Sequence, residues 1–251
     1  MCGRFVATTD PALLATRIDA INEMPTTADS GPNYNVAPTD GVATVVCRHS
    51  EPGDEPTRRL RLMRWGLVPP WTKAGPDGAP VVGGPVLINA RAEKVTTSPA
   101  FRASADRRRC LVPMDGYYEW RPEPLGSAGR KARKTPFYIH GDGTTLFAAG
   151  LWSVWRPQRT SEAVLSVTII TTAAVGDLAG IHDRMPLLLP ENQWDRWLDP
   201  DDSIDTRQLA RASEVAGIAL REVSSLVNSV RNNSPELIAA ATPQPEQGYL
   251  L

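Results

Sequence analysis

Apolar residues recur at helical spacing near the start of the chain. They lie at Leu13, Leu14, Ile18 and Ile21, three or four residues apart with one exception. Pro11 suits the first position of a helix, and Thr9 or Asp10 before it suits the cap. The pattern therefore predicts a helix that begins at Pro11 and ends near Pro25.

Further along the chain, six short apolar runs, several of them rich in β-branched residues, predict strands. They are 42–47, 59–65, 109–113, 137–140, 146–151 and 165–171. Residues 72–85 are rich in Gly and Pro and predict an irregular surface loop, whereas residues 122–135 predict a flexible connection within a hairpin. Short helices are predicted over 191–198 and 206–212, and a loose tail is predicted from Thr242.

Strands dominate the middle of the chain and helices flank them, which indicates one α+β domain over residues 1–240 and a tail over 241–251. No stretch of the 251 residues approaches the roughly 18 apolar residues of a membrane span, and the start lacks the pattern of a secretory signal. The three cysteines lie far apart without a CxxC pair, which argues against a disulfide scaffold and against structural zinc. We therefore expect a cytoplasmic protein.

The net charge of −1 hides an uneven distribution of charge. Residues 56–134 hold 16 Lys and Arg against 6 Asp and Glu, whereas the other residues hold 11 against 22. The basic residues gather at Arg58, Arg59, Arg61 and Arg64, at Arg107, Arg108 and Arg109, and at Arg130, Lys131, Arg133 and Lys134. Aromatic residues lie among them at Trp65, Trp71, Tyr117, Tyr118 and Trp120. Two interpretations stay open: solvated faces with core aromatics, or a groove that follows phosphates and stacks bases.

The start of the chain carries the most specific chemistry, because a cysteine follows the initiator methionine. Removal of Met1 leaves Cys2 with a free α-amine beside its thiol. A terminal amine has a pKa near ~8, against ~10.4 for lysine, so far more of it is nucleophilic at neutral pH. Such an amine attacks an aldehyde to give a Schiff base, and the thiol then closes a thiazolidine ring. Two alternatives stay open. N-terminal-nucleophile amidotransferases also begin with a cysteine, and a cysteine at position 2 can be accidental at a terminus without a fixed structure.

Three further polar groups suit a reactive site, and each has a structural alternative. Asn89 and Arg91 share one face of a strand and suit a phosphate or sugar, or else a capped turn. Glu119 lies between aromatic residues and suits proton transfer, or else pairs with an arginine at a strand end. His182, in a polar loop shortly before Arg184, suits acid–base chemistry or a phosphate contact, or else a structural role.

Eight segments, taken in order, resemble the SOS-response-associated peptidase family, whose members process abasic sites in DNA. The segments are 1–5 (MCGRF), 34–38 (YNVAP), 64–69 (RWGLVP), 88–93 (INARAE), 109–120 (RCLVPMDGYYEW), 147–152 (FAAGLW), 181–186 (IHDRMP) and 228–232 (NSVRN). Each segment alone is weak evidence, but the ordered set is highly specific.

The resemblance implies a compact α+β domain around a barrel-like, mostly antiparallel sheet that binds single-stranded DNA in a basic groove. It implies that mature Cys2 forms a thiazolidine with the ring-opened aldehyde of an abasic site. Asn89 is then expected to hold the terminus or the opened sugar, and Glu119 to move protons. His182 is expected to assist opening of the sugar or to contact its phosphate.

For the DNA, the resemblance implies phosphate contacts from Arg4, Arg91 and Arg184, and stacking or wedging of bases by Trp71 and Trp120. Family members are also credited with proteolytic release of their own terminal methionine, the source of the word peptidase. We expect no cofactor, metal or membrane, and a monomer that, in a bacterium, acts on the nucleoid. A single strand is the expected substrate because an abasic site there is extrahelical at little cost.

Two other classes of function stay open. An N-terminal-nucleophile amidohydrolase or peptidase uses the Cys2 thiol with its own amine as base, but it gives the basic segment no role. A non-enzymatic binder of single-stranded DNA explains the basic and aromatic residues but leaves Cys2, Glu119 and His182 idle.

Overall fold

Strands make up most of the regular structure, with short helices between them. The computed structural model describes residues 2–25, 31–81, 83–123, 134–157, 162–204, 209 and 217–241. The strands are β1 (Phe5–Ala7), β2 (Ile21–Asn22), β3 (Asn33–Val36), β4 (Gly41–Arg48), β5 (Thr57–Trp65), β6 (Asn89–Arg91), β7 (Arg109–Met114), β8 (Gly116–Pro122), β9 (Lys134–Gly141), β10 (Leu146–Trp155), β11 (Val164–Ala173), β12 (Arg184–Pro186) and β13 (Ile218–Glu222). The α-helices are α1 (Pro11–Arg17), α2 (Arg102–Arg107) and α3 (Trp194–Leu198). Short 3-10 helices cover Ala92–Lys94, Gly176–Gly180, Glu191–Gln193, Ser225–Asn228 and Pro235–Ile238.

Five of these strands close into a barrel at the centre of the fold. Neighbours pair antiparallel in the order β5-β4-β7-β10-β11. The ring closes where β11 pairs parallel with β5, through Ser166 opposite Arg64 and Val167 opposite Trp65. The predicted α+β class with a barrel-like, mostly antiparallel sheet is therefore confirmed.

Alternation of side chains along the barrel strands produces two packed faces. Outward-facing residues such as Val45 and Leu60 pack against all three α-helices in one apolar cluster. Their inward-facing neighbours, such as Val46 and Met63, form a second cluster that fills the barrel and includes Cys2. The second residue of the chain is thus part of the inner core.

A second sheet of five strands, in the order β13-β9-β8-β1-β3, carries the start of the chain. One residue, Asp115, separates barrel strand β7 from β8, so the chain passes directly from one sheet to the other. Gly116 follows, and a Cβ atom there would lie 2.5 Å from the carbonyl oxygen of Ile139 and 2.6 Å from the ring of Tyr138. Only glycine fits at this crossing.

Strand β1 is held against β8 by hydrogen bonds at its end. The backbone N–H of Asp115 donates to the carbonyl oxygen of Val6 at 2.8 Å. The Asp115 carboxylate accepts hydrogen bonds from the N–H and the hydroxyl of Thr8, both at 2.6 Å, and from the hydroxyl of Thr9 at 2.8 Å. These bonds fix the direction in which the chain enters the inner core.

The first helix begins where the pattern predicts but ends early. Asp10 caps it by accepting from the N–H groups of Ala12 and Leu13, at 2.8 and 3.1 Å. The prediction that it continues to near Pro25 is wrong. Asp19 adopts a left-handed φ of 49°, and residues Ile21–Asn22 then pair with β5 as a short strand. Sheet pairing outweighs the helical spacing of the apolar residues here.

The six predicted strands are all present, and each extends beyond its predicted bounds, most of all β9 and β10. The predicted helix over 191–198 is present as a 3-10 turn followed by α3, and the described part of 72–85 is irregular, as expected. Strands β1, β3, β8, β12 and β13 and helix α2 were not predicted. Most of the predicted helix over 206–212, most of the 122–135 connection and the tail from Thr242 lie outside the described residues. Within the described part, no helix is both long and apolar enough to span a membrane.

We predict that Asp115→Ala lowers the free energy of unfolding by about 2 kcal/mol, because it removes charge-assisted hydrogen bonds at the end of β1. Urea unfolding of the variant and the parent measures the difference. Asp142→Ala is the matched control, since Asp142 is exposed on the β9–β10 turn, and it should change stability by less than about 0.5 kcal/mol. Equal losses in the two variants would contradict the locking role of Asp115.

Candidate active site at Cys2

Cys2 is fully buried and is held by a side chain from a distant strand. The amide nitrogen Nδ2 of Asn89 donates to the carbonyl oxygen of Cys2 at 2.7 Å. Asn89 is placed by β6, which pairs parallel with β11 through Asn89 opposite Ile169. The predicted pair Cys2 and Asn89 is therefore in direct contact.

Glu119 and Tyr117 reach the same region from β8. They lie two residues apart on one strand, so their side chains point to the same face. Both are buried, Glu119 with 4% and Tyr117 with 1% of its surface exposed. The Glu119 carboxylate acts electrostatically on both the Cys2 thiol and the Tyr117 hydroxyl. Cys2, Asn89 and Glu119, three of the four predicted catalytic residues, thus share one buried site with Tyr117.

This environment favours the neutral forms of the Cys2 thiol and the Tyr117 phenol. Burial raises the pKa of the Cys2 thiol, and the negative charge of Glu119 raises it further. Burial likewise raises the pKa of Tyr117, with the Cys2 and Glu119 charges acting in the same direction. The thiol and the phenol therefore both carry their protons at neutral pH.

Two buried polar atoms in this site have no hydrogen-bond partner among the described residues. They are the hydroxyl of Tyr117 and the carbonyl oxygen Oδ1 of Asn89. Such atoms are rare in folded proteins and call for an explanation. A donor and an acceptor beside Cys2 are suited to a ligand that offers a hydroxyl or an amine. Tyr117 was not predicted as a site residue, although its position two residues before Glu119 was a usable signal.

The predicted residues Arg91 and Arg184 lie on strands that both pair with the end of β11. Thr171 is opposite Arg91 on one of them, and Ala173 is opposite Arg184 on the other. The Arg184 guanidinium donates to both carboxylate oxygens of Glu93, at 2.9 and 3.0 Å, and to the carbonyl oxygen of Thr171 at 2.6 Å. Arg184 is thus engaged by protein groups, whereas Arg91 is exposed.

His182 lies near Arg184 with its side chain 31% exposed. Its ring nitrogen Nδ1 lies 3.0 Å from the backbone nitrogen of Arg184 and 2.7 Å from a carboxylate oxygen of Asp183. The amide can only donate and the carboxylate can only accept. Whether Nδ1 carries a hydrogen therefore decides which of these two bonds forms.

Arg4 is anchored by the second sheet and by the segment Ser225–Asn228. Its guanidinium donates to the side-chain oxygen of Asn35 at 2.8 Å and to the carbonyl oxygen of Val227 at 3.2 Å. Asn35 in turn donates to the carbonyl oxygens of Ser229 and Asn232, at 2.9 and 3.0 Å. These bonds join two of the sequence segments that carry the family resemblance, 34–38 and 228–232.

The predicted stacking residues differ in exposure. Trp71 is 60% exposed, and Trp120 is half-buried with its indole N–H donating to Asn228 at 2.7 Å. Trp65, Tyr117 and Tyr118, by contrast, are core residues. Among the described residues, no hydrogen bond joins Trp71 to Cys2.

Not all of the described members of the basic clusters lie on the surface. Arg109 is buried, and its guanidinium donates to backbone carbonyl oxygens that include that of Trp197 at 2.7 Å. Arg64 donates to the carbonyl oxygen of Gly66 at 2.7 Å. Arg130, Lys131 and Arg133 lie outside the described residues. Within the described part, no group of three His, Cys, Asp or Glu side chains is close enough together to hold a metal ion.

Comparisons with known proteins agree with the residue pattern. Residues 1–230 match the family model for SOS response associated peptidase (SRAP). The chain is 35% identical over 242 residues to abasic site processing protein YoqW of Bacillus subtilis, covering 95% of this chain and 99% of that protein. It is 30% identical to abasic site processing protein HMCES of Xenopus tropicalis, covering 88% of this chain and 69% of that protein. A crystal structure of a Bacteroides thetaiotaomicron protein has the same fold, with a TM-score of 0.77, 22% identity and coverage of 96% and 100%.

We predict that alkylation of Cys2 in the folded chain is at least roughly tenfold slower than alkylation of Cys47 at pH 7, because Cys2 is fully buried and its pKa is raised. Cys47 is only partly buried. Peptide mapping by mass spectrometry after brief treatment with a maleimide measures both rates. Unfolding in guanidinium should remove the difference. Rapid labelling of folded Cys2 would indicate an exposed thiolate and contradict the described site.

Proposed function

The chain belongs to the SOS response associated peptidase family, and from this premise we propose that it processes abasic sites in DNA by covalent capture at Cys2. The captured group is the ring-opened aldehyde of an abasic site in single-stranded DNA, and the product is a thiazolidine. The observation that carries the proposal is the burial of Cys2 against Asn89, Glu119 and Tyr117. The names of the relatives support the DNA lesion as the substrate.

The proposed reaction requires the release of Met1. While Met1 is attached, the nitrogen of Cys2 is part of a peptide bond and is not nucleophilic. Release of Met1, by the chain itself or by another peptidase, frees the α-amine. The 2.7 Å hydrogen bond from Asn89 to the Cys2 carbonyl holds the residue in place, and Asn89 Oδ1 supplies an acceptor for the new amine.

In the proposed reaction, the α-amine of Cys2 adds to the aldehyde carbon and gives a carbinolamine. Loss of one water molecule gives the imine. The thiol then adds across the C=N bond: a C–S bond forms, and the thiol proton ends on the nitrogen. Ring closure is intramolecular, so it avoids the entropic cost of a second encounter. One water molecule is the only product besides the crosslink.

Each neighbouring group has a proposed role in the proton transfers. Glu119 takes a proton from the attacking nitrogen and gives it to the leaving hydroxyl, and it later moves the thiol proton to the nitrogen. The thiol is protonated because burial raises the pKa of Cys2. The Tyr117 hydroxyl donates a hydrogen bond to the oxygen of the aldehyde or carbinolamine. His182 assists opening of the abasic sugar or contacts its phosphate.

The DNA strand is proposed to lie along the residues that flank this site. Arg4, Arg91 and Arg184 supply phosphate contacts, and Trp71 and Trp120 supply surfaces for bases. Because Glu93 and Thr171 accept three of the five guanidinium N–H groups of Arg184, its proposed contact uses an N–H group that these bonds leave unused. A single strand is proposed because an abasic nucleotide there needs no unstacking to reach a buried site.

The raised pKa of Cys2 favours this reaction over amide hydrolysis. A hydrolase that attacks with sulfur needs a thiolate, which burial and the charge of Glu119 both disfavour. Attack by the amine first, with the thiol adding afterwards, needs no thiolate in the free protein. Among the alternatives, a binder without covalent chemistry gives no reason for two unpartnered polar atoms beside Cys2.

We predict that Cys2→Ala abolishes the heat-stable adduct with an abasic single strand, because no thiol remains to close the ring. The α-amine of the substituted terminus still forms an imine, so cyanoborohydride should restore a crosslink in this variant. Intact-mass spectrometry before and after mixing reports both the loss of Met1 and the mass of the adduct.

Cys47→Ala is the matched control and should form the adduct at the parent rate, since Cys47 is not part of the site. A heat-stable adduct in Cys2→Ala without reductant would show that another residue captures the DNA. Adduct formation by a chain that keeps Met1 would equally overturn the proposed chemistry.

We predict that Glu119→Gln slows adduct formation by roughly 100-fold, within the range that general acid–base catalysis contributes, while the affinity for undamaged single strands stays unchanged. Single-turnover kinetics on abasic strands measures the rate, and anisotropy measures the affinity. Glu123→Gln, in the connection after β8, is the control and should react at the parent rate. Equal rates in parent and Glu119→Gln would remove the proposed role of Glu119.

A further inference from the structure

Five arginines lie at one end of the barrel, away from Cys2. They line a cavity of about 620 Å³ together with Trp152. On β5, Arg59 and Arg61 lie four and two residues before the inward-facing Met63, and therefore on the same face of the strand. On β4, Arg48 lies two residues after Val46 and shares its face in the same way. The other two are Arg108, just before β7, and Arg156, just after β10. We call this set, Arg48, Arg59, Arg61, Arg108 and Arg156, the arginine pocket.

The buried side chain of Trp152 forms part of the floor of the arginine pocket. This residue is 3% exposed, and the guanidinium carbons of Arg48 and Arg108 lie 5.0 and 5.8 Å from its ring centroid. Cation–π contacts of this kind hold a guanidinium in place at small entropic cost. Because the indole is covered, it offers no open face on which a base could stack.

The positive charge of the arginine pocket is only partly balanced. Glu23 pairs with Arg59 and with Arg61, and the described residues that line the cavity include no Asp or Glu. Burial lowers the pKa of Arg48, and the charges of Arg61, Arg108 and Arg59 lower it further. Such repulsion between cations destabilises the fold unless an anion relieves it.

The arginine pocket is separate from the Cys2 site. Leu165 lines the cavity, whereas Asn89 pairs with β11 at Ile169 and Arg91 at Thr171. Four residues along a strand, from Leu165 to Ile169, span about 13 Å. Val167 lies between them and is fully buried in the inner core.

We infer that the arginine pocket is a second phosphate site, which holds the sugar–phosphate backbone of nucleic acid at the end of the barrel remote from Cys2. The inference rests on the proposed function for its source of nucleic acid. Guanidinium groups match phosphate oxygens in geometry and charge. The cavity has room for more than one phosphate group, since a water molecule takes ~30 Å³. The covered indole favours a backbone ligand, read without regard to sequence, over a nucleotide with a stacked base.

The test compares two lengths of undamaged single-stranded DNA by fluorescence anisotropy at several salt concentrations. One is about 8 nucleotides, and the other is roughly 32 nucleotides, twice the upper site size of single-strand-binding folds. We expect Arg48→Gln with Arg156→Gln to weaken binding of the long strand roughly tenfold and to lower the salt slope by about 2. Arg102→Gln, an exposed arginine on α2, is the control and should leave both quantities near the parent values.

Arg156→Gln alone is the control for misfolding, because Arg156 is exposed and its substitution should not disturb the fold. This single substitution should lower the salt slope by about 1. Parent-like binding of the long strand by both pocket variants would overturn the inference. The inference would also be overturned if ATP released the long strand at much lower concentrations than the short strand does. That result would assign the pocket to a free nucleotide. Adduct formation with an abasic strand of about 8 nucleotides should be unchanged in the variants. Absence of that adduct in the parent would overturn the proposed function alone, since undamaged strands still test the pocket.

Discussion

The hydrogen bond between Asn89 and the carbonyl of Cys2 is the contact on which the candidate site depends. It joins the first residues of the chain to β6, and through β6 to the barrel strand β11. Chain termini are usually mobile, so a reactive group at a terminus is usually badly placed. Here Asp115 holds the far end of β1 and Asn89 holds the near end, and the nucleophile acquires the fixed position of a core residue.

Fixing Cys2 by burial has a chemical consequence as well as a geometric one. A buried site disfavours charged forms, and Glu119 adds negative charge to the same space. A thiolate is therefore costly, while a neutral amine is not. In the proposed reaction, nitrogen therefore adds before sulfur, and Glu119 carries the proton between them.

The parts of the molecule that can be predicted from the sequence are those whose signals are local. Barrel strands such as β4 and β11 were predicted because their apolar runs are continuous. Helix α1 was overestimated because Ile21 fits a helical period and a strand edge equally well, and only the presence of β5 decides between them. Strand β1 was missed because three residues carry little pattern. Tyr117 was missed for a related reason: its hydroxyl gains meaning only when β8 is placed next to Cys2, a contact between residues 115 positions apart in the chain.

The two ends of the barrel differ in what their inward-facing residues do. At one end the interior accepts a cysteine, an amide and a carboxyl group; the cavity at the other end is lined by five arginines, whose mutual repulsion is incompletely balanced by Glu23. Arg48 and Arg156 are exposed, whereas Val46 and Met63 lie further in and are buried. Repulsion among the arginines is a cost to stability that the proposed contact with phosphate would relieve. A protein that holds a strand at two separated points can keep its lesion at Cys2 during a slow covalent reaction, because each contact raises the effective concentration of the strand at the other.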